Sequence, residues 1–317
     1  MLEAYRTAIN SALETYWAAM DSALATLWAA LYAQLEPYRA ILHSLAEPLA
    51  PYVMYPAYGA LAGLFAGLFG IGGGAWLVPV MVWDFSRRGF PPDQIMIMAV
   101  ATSLATIIIT SLSSVYAHHR HGAIRWRIVG LLAPGMLLGS VLGSLIADHL
   151  PAVWFKSFFA LFLIIIALRM FSTGAEQDRG HWNPSRWLLF LSGALIGSIS
   201  SLVGIGGGSL SVPLLNKCNY PLRNAVAISS ACGFPIAIAG TASYIALGMQ
   251  KHDLPPGSWG YIFAPAFIGI VITSVFFAPV GAKLAHILPV ACLKKLFALM
   301  LLAVGCKMLW IAAYPSI

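Results

Sequence analysis

Six stretches of this 317-residue chain (56–83, 94–117, 128–147, 187–216, 224–250 and 254–282) run twenty residues or more without Asp, Glu, Lys or Arg. About 20 residues of helix span the ~30 Å hydrocarbon core of a bilayer. Two further segments, 151–171 and 289–313, are apolar apart from Lys156, Arg169, Lys294, Lys295 and Lys307. Long side chains of that kind snorkel from positions near helix ends. Charged residues make up 9% of the chain, against roughly 25% in soluble domains. A soluble fold of this size would lack the groups to cover its surface, so lipid is the expected solvent and an all-α, polytopic membrane protein the expected class.

The net charge of +7 does not call for nucleic acid. The basic residues occupy short gaps between apolar runs, where cytoplasmic loops concentrate Lys and Arg. Cys218, Cys232, Cys292 and Cys306 show no CxxC spacing, which argues against a disulfide framework or a zinc site. No metal or cofactor is expected.

The sequence repeats itself. GLFAGLFGIGGG at 63–74 returns as GSISSLVGIGGG at 197–208, an offset of 134 that also brings Val78-Pro79 onto Val212-Pro213. Thr102-Ser103 falls on Ser229-Ser230 at an offset of 127. Gly143, Leu150, Pro151, Lys156 and Phe159 match Gly281, Leu288, Pro289, Lys294 and Phe297 at an offset of 138. Three such runs in the same order indicate a duplication. The expected organisation is an N-terminal amphipathic helical extension (1–55), a first membrane repeat (56–171), a soluble linker (172–186) and a second membrane repeat (187–317).

Taken as one helix, 187–216 would be ~45 Å long, more than the hydrocarbon core needs. Its middle carries four glycines in five residues and then Pro213, each glycine costing ~1 kcal/mol inside a helix. The spacing therefore predicts a helix, an unwound break and a second half-helix, in both halves. Irregular backbone is tolerated at membrane depth where protein buries it or water reaches it, and paired glycine-broken segments mark transporter binding sites. Freed N–H groups and the positive end of a helix dipole favour an anion there. The expected site comprises Gly70, Gly72, Gly73, Gly74, Gly204, Gly206, Gly207, Gly208 and Ser209, with hydroxyls from Thr102, Ser103, Ser229 and Ser230. Such hydroxyls also commonly bond their own helix carbonyls. Small-xxx-small pairs such as Gly63/Gly67 and Gly139/Gly143 read as close helix packing.

His118, His119, Arg120 and His121 form a basic cluster absent from the second half. It reads either as cytoplasmic anchoring charge, or as an anion-collecting vestibule or a protonation switch, since histidine titrates near pH 6.5. Near the N-terminus, Trp17, Met20, Leu24, Leu27 and Leu31 line one helix face, the pattern of an interfacial helix or of a subunit-pairing helix; the second reading implies a homodimer through this helix. If each glycine-broken segment is re-entrant, each half has an odd number of crossings and the repeats are inverted. A reversal of loop charge bias between the halves favours that topology.

The doubled GIGGG motif followed by Val-Pro resembles the TauE/SafE family of sulfite-exporter-like transporters, over about 57–313. The resemblance implies a multi-pass protein of the bacterial inner membrane that exports a small anion, such as sulfite, sulfoacetate or another organosulfonate, with the glycines named above as its signature. Cation-coupled import of a similar anion and a non-transport role in membrane assembly are the alternatives. No nucleophile–base constellation suggests an enzyme.

Overall fold

A computed structural model describes residues 52–69, 73–172, 184–287 and 290–313, together with Ser22, Ala25, Thr26, Ala29 and Ala33. The chain divides into a unit Met1–Val53 and a unit Met54–Ile317. In the first, Ser22, Ala25, Thr26, Ala29 and Ala33 are helical and exposed, and the Thr26 hydroxyl donates to the Ser22 carbonyl at 2.6 Å. The apolar seam from Trp17 to Leu31, and any pairing of subunits through it, lie outside the described residues.

Among its described residues the second unit is helical almost throughout. Its helices are α1 (Met54–Phe69), α2 (Gly74–Arg87), α3 (Pro92–Arg120), α4 (Trp126–His149), α5 (Ala152–Ser172), α6 (Arg186–Val203), α7 (Gly208–Lys217), α8 (Leu222–Gly248), α9 (Ala264–Ile287) and α10 (Val290–Ala313). Two-residue strands, β1 (Ser258–Trp259) and β2 (Ile262–Phe263), pair antiparallel between α8 and α9. Among the described residues, α3, α4, α5, α6, α8 and α9 are long and apolar enough to cross a bilayer. The chain is an all-α polytopic membrane protein.

Local chemistry sets the helix ends. Pro92 opens α3 with Asp93 in its first turn, and His118, His119 and Arg120 close it, complementing the helix dipole at both ends. The Ser185 hydroxyl caps α6 by accepting the Leu188 N–H at 3.3 Å, and α6 stops where Gly204 turns left-handed at φ 71°.

The glycine-broken segments do not continue across the bundle; they reverse. The Tyr55 hydroxyl, at the start of α1, donates to Asp84 near the end of α2 at 2.8 Å. Phe263, just before α9, packs edge-on against Tyr55, Phe85 and Phe90. Asp148 near the end of α4 accepts from the Tyr261 hydroxyl at 2.5 Å and meets the Lys251 ammonium at 3.5 Å. One end of the bundle therefore gathers the start of α1, the ends of α2, α4 and α8, and the starts of α3 and α9. At the other end, the Asn224 amide at the start of α8 donates to the carbonyl of Ala123, in the α3–α4 turn, at 2.9 Å. The first turns of α6 lie alongside the early part of α4, with Gly193 against Leu132 and Gly135 against Phe190. Helices α6 and α7 thus form a hairpin entering from the α3–α4 end, whereas α1 and α2 form one entering from the α8–α9 end. The two halves run in opposite senses.

Glycines let these helices approach closely, as they do where lipid supplies no hydrophobic drive for association. Gly139 and Gly143 of α4 lie against Ala194 and Ser198 of α6, and Gly59 and Gly63 of α1 against Ile270 and Ser274 of α9. So α1 rides on α9 and α6 rides on α4, while α3 packs on α8 and α5 on α10. Each hairpin is held by a helix of the opposite half.

Candidate functional site

The hairpin tips meet inside the bundle. Gly73 caps α2 at φ 70°, ψ −16°, and Gly207 caps α7 at φ 76°, ψ −8°. This left-handed geometry is one that glycine adopts without steric cost. Neither helix start has a side-chain cap bond. The Gly73 carbonyl accepts from Trp76 and Leu77, and the Gly207 carbonyl from Leu210 and Ser211. The N–H groups of Gly208 and Ser209 head α7 with no acceptor among the described residues. A helix start left in this state is a ready anion site.

The first half reaches into the second half's break. The Ser103 hydroxyl of α3 donates to the Gly204 carbonyl at 2.9 Å. A Cβ at Gly74 would land well inside contact distance of that same carbonyl oxygen, so only a glycine fits there. Two more hydroxyls at this break, Ser200 Oγ and Ser209 Oγ, are buried with no hydrogen-bond partner among the described residues. Ser200 is 2% exposed, and its Oγ lies 3.4 Å from where a Cβ on Gly207 would sit. A buried hydroxyl without a partner costs roughly 1–3 kcal/mol, a cost that a ligand accepting its hydrogen bond would offset.

The other expected site residues divide. Thr102 Oγ1 accepts the Phe263 N–H at 3.0 Å, anchoring the α8–α9 loop. Ser229 and Ser211 pair at 2.6 Å, and Ser211 donates to the Gly207 carbonyl at 2.8 Å, bracing the α7 cap. Ser230 donates to Val226 of its own helix at 3.0 Å. Gly206 sits against Ile107 and Gly233. Gly70 and Gly72 lie outside the described residues. His118, His119, Arg120 and His121 stand at the α3–α4 end, where His119 Nδ1 accepts the Trp126 indole N–H at 3.3 Å and Arg120 lies 5.9 Å over the Tyr116 ring.

Three features escape sequence reasoning. Ser200 lies within the repeated motif, where the first half has Ala66 at the offset of 134; it is one of three serines, with Ser198 and Ser201, that replace Leu64, Ala66 and Gly67, and the sequence does not tell which of them lacks a partner. Asp84, 7% exposed, takes hydrogen bonds from Tyr55 and from Arg88 Nε, the latter at 2.7 Å. Asp148, Lys251 and Tyr261 tie the α8–α9 loop to α4. Burial, reinforced by the Asp148 acceptor, pushes the Tyr261 phenol above its usual value, so it remains a donor. Tyr244 beside it donates to the Ser201 carbonyl at 3.0 Å, joining this loop region to the turn before Gly204. The acids flank uncharged stretches in the sequence, and nothing local reveals their distant partners.

The family model for sulfite exporter TauE/SafE matches residues 54–308. The chain belongs to this family. It is 37% identical over 250 residues to a probable membrane transporter protein of Haemophilus influenzae, covering 79% of this chain and 95% of that one. A probable membrane transporter protein of Methanocaldococcus jannaschii is 28% identical over 229 residues, covering 71% and 83% of the two chains. The probable membrane transporter protein YunE of Bacillus subtilis is 24% identical over 285 residues, covering 82% and 97%. No solved structure matches the chain. Family and relatives agree that this is a multi-pass membrane transporter.

Proposed function

We propose that this transporter carries a small anion, such as sulfite, sulfoacetate or another organosulfonate, outward across the bacterial inner membrane, binding it at the meeting of the glycine breaks. The observation that carries the reading is the unpaired donor set at the α7 start: the Gly208 and Ser209 N–H groups with the buried Ser200 and Ser209 hydroxyls. No Asp, Glu, Lys or Arg occurs in 56–83 or 187–216, so charge compensation falls to helix dipoles, N–H groups and hydroxyls. Each is worth more in a low-dielectric cavity than in water. Arg120, Arg125, Arg127, Arg186, Lys217 and Arg223 gather at the α3–α4 end, which supports a cytoplasmic location for that end. A potential negative inside then drives a monoanion outward by ~2.3 kcal/mol per 100 mV, and export needs no second ion.

The test is counterflow of labelled sulfite, sulfoacetate and acetate in proteoliposomes, with a size-matched ammonium compound as control. In wild-type protein the anions exchange and the ammonium does not. In Gly207→Leu, whose new Cβ would lie 2.8 Å from Ile236 Cδ1 within the break, exchange is lost. Wild-type flux from folded Gly207→Leu protein, or exchange of the ammonium alone, overturns the reading.

A further inference from the structure

A groove of about 440 Å³ runs between α2, α10 and the start of α5, within the about 300–1,000 Å³ typical of small-ligand sites. Trp76, Trp83, Met300 and Val304 give it apolar walls, and among the described residues its charged lining groups are Lys156 and Lys307. Neither lysine has an ion-pair partner among the described residues. The Arg87 guanidinium, 4.8 Å over the Trp83 ring, adds a third cation beside the groove.

Depth and direction define the occupant. The groove follows α2 from Ala75 to Ser86, a rise of ~16 Å at 1.5 Å per residue. That is about half of a ~30 Å hydrocarbon core. It starts beside the glycine break within the bundle and ends where Tyr55 meets Asp84, at the α8–α9 end. Such a cleft is as deep as one leaflet, apolar along its length, and carries unpaired positive charge. A soluble anion would lose its hydration against these walls without enough donors to replace it, whereas an amphiphile with an anionic head would satisfy both walls and lysines. The corresponding positions of the other half, Lys294 for Lys156 and Arg169 for Lys307 at the offset of 138, are basic as well.

We propose that this groove is a binding site for an anionic phospholipid of one leaflet. Its phosphate is held by Lys156 and Lys307, and one acyl chain lies along Trp83, Met300 and Val304. The site is separate from the glycine breaks and does not depend on the substrate reading. Basic pockets between membrane helices hold anionic headgroups in the same way, at roughly 1 kcal/mol per basic side chain, or about fivefold in affinity for each.

The experiment titrates purified full-length protein in detergent with phosphatidylglycerol and, separately, with phosphatidylcholine of the same acyl chains, and counts bound lipid by native mass spectrometry. Phosphatidylglycerol binds preferentially to wild type, and Lys156→Ala with Lys307→Ala weakens it about 25-fold, at about fivefold per lysine, leaving phosphatidylcholine unchanged. The Lys156→Arg, Lys307→Arg protein keeps the preference, and Val304→Trp weakens both lipids by filling the chain slot. Equal binding of the two lipids by wild type overturns the proposal. So does phosphatidylglycerol affinity unmoved in the double alanine variant, or displacement of the bound lipid by soluble sulfoacetate.

Discussion

Gly74→Ala probes the contact between the two hairpin tips with a single methyl group. Gly74 is not among the glycines with positive φ, so alanine meets no backbone strain there, and the whole effect comes from what its Cβ touches. That Cβ falls on the Gly204 carbonyl oxygen and lies 3.1 Å from Ser103 Oγ. The tips must part by roughly 1 Å to restore ordinary contact, and the 2.9 Å bond from Ser103 to Gly204 is then stretched past its useful range. Overpacking costs about 1–3 kcal/mol, and a buried carbonyl left without its donor about 1–3 kcal/mol more. Ser103→Ala should show only the second of these. Gly89→Ala is the control, because Gly89 has φ +72° but nothing within 4 Å of a built Cβ, so it carries strain far from the site. The assay compares the fraction of each variant remaining monodisperse after heating in detergent with its sulfite counterflow per folded molecule. Gly74→Ala should be the least stable of the three and inactive, and Gly89→Ala should transport normally once folded. Wild-type stability together with wild-type flux in Gly74→Ala would refute the tip contact.

Ser200→Ala should leave thermal stability unchanged or raised, since its hydroxyl has no partner to lose, yet weaken anion binding by about 1.5–3 kcal/mol, the worth of a hydrogen bond to a charge; calorimetry showing unchanged affinity would remove Ser200 from the site. Arg88→Ala should destabilise by about 3–5 kcal/mol, because it strips a buried carboxylate of its cation, whereas Asp84→Asn should cost less; equal unfolding midpoints for the two variants would contradict the buried-charge account. Tyr261→Phe should speed amide exchange across 250–263 without altering that of α5, and unchanged protection would mean that the Asp148 contact does not anchor the loop.

The glycine runs were legible as breaks because four glycines in five residues and a nearby proline oppose a continuous helix on local grounds. Whether the chain crosses or returns after each break was legible only through the reversal of loop charge bias, since 56–83 has enough residues for either course. What decides it is the contact of Tyr55 with Asp84, 29 residues apart, which no window of sequence contains. Thr102 and Ser103 stood out as hydroxyls in an apolar helix, but adjacent positions face different ways: one takes the Phe263 N–H and the other bonds Gly204 across 101 residues. The close-packing reading of Gly139 and Gly143 needed only their spacing of four, and α6 lies against them. The lysines of α5 and α10 read as snorkelling side chains, because a cleft between helices distant in sequence leaves no periodic trace.

The exchange of hairpin partners between halves also bears on how the chain is made. Helix α6 packs on α4, which precedes it, and the Ser198–Gly139 hydrogen bond spans 59 residues. Helix α1 packs on α9, and the Thr273–Pro56 hydrogen bond spans 217. At about 5–20 residues per second, the second hairpin finds its cradle as it emerges, whereas the first waits roughly 10–40 s for α9 to be synthesised. During that interval the close-approach surface at Gly59 and Gly63 is bare. The two hairpins meet as equals in the finished protein, but the first is the vulnerable one during biogenesis, and a chain cut short before α9 would strand it.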